Sequence, residues 1–328
     1  MENYIVLDLE WNQSPNGKEG TVEHLPFEII EIGAVKLDRE FQVISQFHGL
    51  IKPKVYTSLH FKILEVVHMD MEELERKGRD FTDVIREFWE WCGKDGIICT
   101  WGSMDLTELQ RNISYYGMKN PFPNPFLYYD IQKLYSLNYK EGKEKPSLDG
   151  AVEECKIPVD MEFHRALDDA KYTAEVMKHL EWDKVSPYIS IDYYRVPHAR
   201  EEEIYLEFPE YGKYVSRCYE TKEEALEDKI VTDMICCQCR RMLRKKIRWF
   251  PISQKGYLCL ASCPEHGWIK GKIRVKKSEE GQTYIVKTMK LTGDTGAAEI
   301  GAKKEEVKKR RSEKNKLRRL SGNGKWKS

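Results

Sequence analysis

Tyr4-Ile5-Val6-Leu7-Asp8-Leu9-Glu10 is an apolar run of β-formers that closes on two acids. It reads as a buried strand over residues 4–9. Side chains alternate along a strand, so Asp8 and Glu10 leave from one face, roughly 7 Å apart. Two carboxylates at the end of a buried strand are costly unless a cation offsets them. A divalent metal ion is the natural partner. A strand end running into solvent is the alternative, and it suits Glu10 alone better than the pair.

Outward from this strand, residues 12–23 are polar, with Pro15 and Gly17, and read as a loop. Phe27–Leu37 (FEIIEIGAVKL) reads as a second strand and 41–51 as a third, which makes an antiparallel meander. His60 and His68 read as structural. Between Asp80 and Cys92 the apolar residues Phe81, Val84, Ile85, Phe88 and Cys92 keep helical spacing. Gly96–Gly102 (GIICTWG) reads as a buried strand, and Asp105 opens the helix after it, which Gly117 stops. Asp105 is either an early helix acid favoured by the dipole or a third acid facing the site of Asp8. A fifth strand at 126–130, a helix at 131–137 and a helix over LDGAVEEC capped by Ser147 follow. In Phe163-His164-Arg165-Ala166-Leu167-Asp168-Asp169-Ala170, His164 lies in a loop just before a helix that reaches Leu180, and Asp169, five residues on, lies inside that helix. The whole reads as an α/β fold, a mixed sheet flanked by helices.

Asp8-x-Glu10, Asp105 and His164-x-Ala166-x-x-Asp169 together resemble the three exonuclease motifs of the DEDD superfamily, histidine subtype. The resemblance covers roughly residues 1–183. It implies a ribonuclease-H-like fold and degradation of nucleic acid from the 3′ end. By resemblance, Asp8, Glu10, Asp105 and Asp169 would hold two Mg²⁺ or Mn²⁺ ions and His164 would be the general base. Asp168 is the rival of Asp169, which the family's spacing favours. EIIEIGAVKLD, FWEWC followed by TWG, and HRALDDA look most like the Eri-type and KapD-like exonucleases, many of which act on RNA. The chemistry agrees: two metal ions can stabilise the attacking and leaving oxygens of a phosphodiester, and a histidine can take the proton of the attacking water. Trp11 is a candidate stacking wall for a terminal base, with Leu9 a second contact; the alternative for Trp11 is a core position.

The chain has 328 residues, 41% of them hydrophobic, and zero net charge. That neutrality hides an asymmetry, because residues 236–328 hold 26 basic and 8 acidic residues. An acidic front and a basic back suggest a catalytic body with a polyanion-binding appendage. No run of 18 apolar residues exists to span a membrane, and MENYIVLDLEWN lacks the layout of a signal peptide, so a reducing cytoplasm is expected.

Of nine cysteines, five lie between Cys236 and Cys263, which in that compartment reads as metal binding. Cys236-x-x-Cys239 and Cys263-x-x-His266 supply the four ligands of one structural Zn²⁺ in a zinc-ribbon-like module. Cys237 and Cys259 are spare and either can replace an assigned ligand. Trp268–Lys277 alternates with period two, and Lys270, Lys272, Arg274 and Lys276 share a face suited to phosphates or simply to solvent. The expected organisation is an exonuclease domain at 1–183, a connector at 184–232 that belongs to the next domain or joins it, a zinc-ribbon-like domain at 233–295 and a basic tail at 296–328, disordered or marginally helical.

The leading expectation is therefore a metal-dependent 3′–5′ exonuclease on single-stranded ends, RNA before DNA. A DNA-trimming or proofreading enzyme is the alternative, and an inactive nucleic-acid-binding scaffold a third reading. A zinc-dependent hydrolase fails on ligand type, because the catalytic set is carboxylate-rich.

Overall fold

A computed structural model of the chain describes residues 3–66, 69–161 and 163–322; His68 lies outside them. The chain divides into two compact units, Met1–Tyr193 and Tyr194–Ser328.

The first unit is built on β1 (Asn3–Asn12), β2 (Glu28–Leu37) and β3 (Val43–Leu50). Then come α1 (Phe61–Val66), α2 (Met71–Lys77), α3 (Phe81–Cys92), β4 (Gly96–Thr100), α4 (Met104–Tyr115), β5 (Leu127–Asp130) and α5 (Ile131–Tyr139). It closes with α6 (Leu148–Glu154), α7 (Ala166–Lys178), α8 (Trp182–Val185) and β6 (Ser190–Ile191). The sheet order is β3-β2-β1-β4-β5-β6. The β1–β2, β2–β3 and β5–β6 pairs are antiparallel, and β1–β4 and β4–β5 are parallel. The short strand β6 was not legible in the sequence.

Alternation along β1 divides the core in two. Ile5, Leu7 and Leu9 pack with Val84, Phe88 and Leu106 of α3 and α4. Val6 points the other way, into a cluster with Tyr135, Tyr172 and Met177 of α5 and α7. Period two then sends Asp8 and Glu10 to the α7 face. Both faces of the central strands are covered, which is why β2 is buried almost throughout. β1 and β4 are parallel neighbours, so the acids at the end of β1 lie beside the β4–α4 connection.

Gly33, paired with Asp8 across β1 and β2, sets the height of α7 above the sheet. A Cβ on Gly33 would sit 2.0 Å from the Leu167 nitrogen and 2.1 Å from the Ala166 carbonyl carbon. Only glycine lets the first turn of α7 rest on the β2 backbone. That helix starts at Ala166, so His164 lies just before it and Asp169 inside it, as the sequence suggests.

The second unit holds β7 (Ile204–Glu207), β8 (Tyr211–Val215), α9 (Lys222–Glu227), α10 (Lys229–Thr232), β9 (Arg244–Pro251), β10 (Gly256–Cys263), β11 (Gly267–Lys277), β12 (Thr283–Thr292) and α11 (Asp294–Gly322). Its sheet runs β7-β8-β12-β11-β10-β9, antiparallel at every pairing. The sheet is larger than a zinc ribbon, because β7 and β8 from the tyrosine-rich stretch join its edge. Residues 294–322 are helical, and Ile300 seats the helix on Phe250, Leu258 and Leu260. No helix of the described residues is long and apolar enough to cross a membrane.

Candidate active site and cysteine cluster

Three elements bring the acids together. β1 contributes Asp8 and Glu10, the first turn of α4 contributes Asp105, and the first turn of α7 contributes Asp169. Asp105 is 5% exposed, and its Oδ1 accepts the Leu9 N–H at 3.2 Å across the strand edge. His164 precedes α7 with φ of 67°, a left-handed conformation uncommon outside glycine. That turn lets the His164 N–H donate to Asp169 Oδ2 at 3.1 Å. Ligand atoms of Glu10, His164 and Asp169 all lie within 4.8 Å of one another. Asp168 instead pairs with Lys171 at 2.9 Å, one turn along the same helix.

The cluster is electrostatically unfavourable by itself. Burial pushes the Asp8 carboxyl well above the usual range, and Asp105, Glu10 and Asp169 push it further. Glu10 rises to about 8 by burial and then by the charges of Asp169, Glu31 and Asp105, with Arg165 opposing. Asp105 rises to about 7 by burial, against backbone hydrogen bonds from its own N–H and that of Leu9. Asp169 also rises to about 7 by burial, against the His164 N–H. Its Oδ1 is buried and has no hydrogen-bond partner among the described residues. Unpaired buried carboxylate oxygens are rare, and an unpartnered one among four acids fits a bound cation. The donors are hard oxygens with one imidazole, a set suited to magnesium or manganese.

Sequence reasoning missed Glu31. It lies opposite Glu10 on β2 and is wholly buried. Its one visible signal is an acid inside the apolar text of EIIEIGAVKL. Burial pushes its carboxyl up, but hydrogen bonds from His48 and Arg165 outweigh that and hold it below the usual range.

The expected substrate contacts are placed as follows. Leu9 is 3% exposed, in the core, and meets the site through its backbone N–H rather than its side chain. Trp11 is half-buried, with its ring 5.7 Å from that of Phe27. On β11, Ile269, Ile273 and Val275 are buried on one face. Lys270, Lys272 and Lys276 are half-buried and Arg274 is exposed, on the other face. Burial, then the charges of Arg274 and Lys270, lower the proton affinity of Lys272.

In the second unit Cys236, Cys239, Cys263 and His266 bring all four ligand atoms within 4.8 Å of one another. Cys239 Sγ is 3.7 Å from Cys263 Sγ, and His266 Nδ1 is 3.5 Å from Cys263 Sγ and 3.6 Å from Cys236 Sγ. Burial pushes the Cys263 thiol up, but the N–H groups of Glu265 and His266 and the His266 ring outweigh it and bring it to about 6. That is the thiolate a soft metal binds. Cys237 and Cys259 lie outside the group. Cys237 contacts the Glu210 carbonyl, and burial pushes Cys259 up to about 12. The cluster has the donor set of a zinc module.

The sequence pattern of the RNase_T exonuclease family matches residues 5–177. The chain belongs to that exonuclease family. All five acid and histidine positions of the site fall inside the match. A relative described as "Probable 3'-5' exonuclease KapD", from Bacillus subtilis strain 168, is 32% identical over 185 residues, which cover 55% of this chain and 85% of that one. The PolC-type DNA polymerase III of Clostridium perfringens strain 13 / Type A is 28% identical over 186 residues, 54% of this chain and only 11% of the polymerase. Among solved structures, the nuclease domain of 3'hExo, a DEDDh family member bound to rAMP, is 21% identical over 58% of this chain and 96% of that one, with a TM-score of 0.48. This exonuclease is accordingly a hydrolase of phosphodiester bonds.

Proposed function

We propose that the exonuclease removes nucleotides from the 3′ end of single-stranded nucleic acid, with two Mg²⁺ or Mn²⁺ ions held by Asp8, Glu10, Asp105 and Asp169. The observation that carries the reading is four converging carboxylates with raised proton affinity and the unpartnered Asp169 Oδ1. When bound, the ions supply compensation for the charge that develops on the attacking and leaving oxygens. His164 is exposed at the rim and within reach of Glu10 and Asp169, where its ring takes a proton from water. Its left-handed backbone, tied to Asp169, fixes where the ring begins. Trp11 contacts the terminal nucleotide with its half-buried ring, whereas the buried Leu9 side chain serves the core instead. Lys270, Lys272, Arg274 and Lys276 bind phosphates in a salt-sensitive way. Cys236, Cys239, Cys263 and His266 hold one structural Zn²⁺.

RNA is the first substrate, on the likeness of EIIEIGAVKLD and HRALDDA to the Eri-type enzymes. DNA is the second reading, favoured by the polymerase relative. Matched 5′-labelled single-stranded RNA and DNA, digested with magnesium beside Asp169→Asn, test the proposal. A ladder shortening from the 3′ end, absent in the variant, is expected, and the faster polymer names the substrate. Intact substrate under both magnesium and manganese, with tight salt-sensitive binding retained, would instead indicate the scaffold. Trp11→Ala should raise the KM for a short oligonucleotide; an unchanged KM removes Trp11 from the substrate site.

A further inference from the structure

Helix α7 carries Asp169 and begins beside His164, yet it lacks a cap of its own. Its N-cap residue is Arg165, whose side chain makes no capping hydrogen bond. Ser, Thr, Asp or Asn is the usual choice there. Glu31 supplies the missing anion from β2. Its Oε2 accepts the Ala166 N–H at 3.4 Å, at the positive end of the helix. The same carboxylate takes Arg165 at 3.1 Å from Nη2 and 3.3 Å from Nε, and His48 Nε2 at 2.6 Å. His48 lies on β3, paired with Gly33. One buried acid thus joins β3, β2 and the start of α7, two residues from the glycine on which α7 rests.

That acid is an expensive choice. Glu31 adds to the repulsion that raises Asp8 and Glu10. A neutral side chain would pack without that cost. What only the carboxylate provides is a bidentate grip on Arg165, which is adjacent in sequence to His164 and close enough to Glu10 to oppose its protonation. We infer that Glu31, His48 and Arg165 form a positioning unit that fixes the start of α7, and through it the placing of His164 and Asp169 against Glu10. The inference rests on the exonuclease reading above; none of the three touches the reacting atoms.

The test uses the full chain with magnesium and a short labelled oligonucleotide. Glu31→Gln and Arg165→Met should each lower kcat by about tenfold or more with KM within about threefold, the pattern of a lost transition-state arrangement. The double variant should be no worse than the poorer single, because both remove one unit. Arg165→Lys should recover part of what Arg165→Met loses. Amide exchange over residues 163–169 should quicken in these variants, while α3 and α5 keep their protection. Unchanged kcat, KM rising in step with the loss, additive losses, or unaltered exchange over 163–169 would overturn the inference. Should Glu31→Gln fail to fold, the partly exposed Arg165 pair of variants decides alone. If the wild-type chain cuts no oligonucleotide, the exonuclease reading fails, and the exchange measurement still judges the positioning unit.

Discussion

The two ligand clusters of this exonuclease are built on opposite plans. The cysteine cluster draws its four ligands from two tight turns, each contributing a pair three residues apart. The acidic cluster draws on β1, α4 and α7, from Asp8 to Asp169, and meets only when the sheet is complete. Four ligands close the first cluster, which suits a structural ion, whereas the second is open at His164 and leaves an oxygen unpartnered. A closed site stores folding energy; an open site in which like charges crowd stores a demand for cations. Mutations and pH should therefore act on the two in different currencies, stability in one and rate in the other.

The largest expected effect is on the closed site. Cys263→Ala should release one zinc per chain and destabilise the second unit by an amount on the order of 10 kcal/mol, the scale of structural zinc binding. Metal analysis and thermal unfolding of the full chain check this. A variant that keeps its zinc and its Tm would break the comparison at its firmer end.

Asp169→Asn should behave in the reverse manner. Activity should fall about 10³-fold or more, the scale for removing one member of a catalytic unit. The metal-free protein should be no less stable than wild type, since the change removes one of several crowded charges. Initial rates and melting curves together separate the two currencies; a large loss of Tm with the loss of rate would show that Asp169 is chiefly structural.

Gly33→Ala lies between these extremes. The added methyl would overlap the backbone of Ala166 and Leu167. Backbone cannot turn aside as a side chain can, so α7 must shift. A cost of about 3 kcal/mol is expected, the upper end for overpacking, together with a fall in kcat as Asp169 moves. A variant with normal rate and stability would show that α7 does not depend on this contact.

Legibility followed the same division. CxxC and CxxH were readable because each pair is local, whereas Asp105, His164 and Asp169 were read through their resemblance to the exonuclease motifs, since spacing alone left each with a bland alternative. Glu31 was not, because its partners His48 and Arg165 are 17 and 134 residues away and its own neighbourhood reads as plain strand. Nor did the cap of α7 show: the helix begins at Ala166 with an anion donated by another element, a tertiary contact that local sequence does not reveal. β7 and β8 escaped because IYLE and YGKYV are short and set among prolines, and only pairing with β12 makes the second a sheet strand. The basic text after Asp294 has little hydrophobic periodicity; the Ile300 anchor on Phe250, Leu258 and Leu260 is a tertiary contact that local propensity does not reveal.

The gentlest test is a titration that needs no mutation. Asp105 and Asp169 stand at about 7 and Glu10 at about 8 in the folded chain, against roughly 4 for such groups in an unfolded one. A raised folded value means the folded state holds more protons between those limits. Stability from these groups is thus fully present below the unfolded value and lost as pH rises through the folded ones. Zinc-loaded protein dialysed free of other divalent ions should therefore melt at progressively lower temperature from about pH 5 to about pH 8. Added manganese should restore the melting temperature most strongly at the upper end, where the carboxylates are ionised and the cation has most to neutralise. Asp169→Asn should flatten the slope. A melting temperature that holds steady or climbs across this range, without added ions, would mean that burial and mutual repulsion do not raise these acids, and the contrast between an open site that demands cations and a closed one that is complete would lose its physical basis.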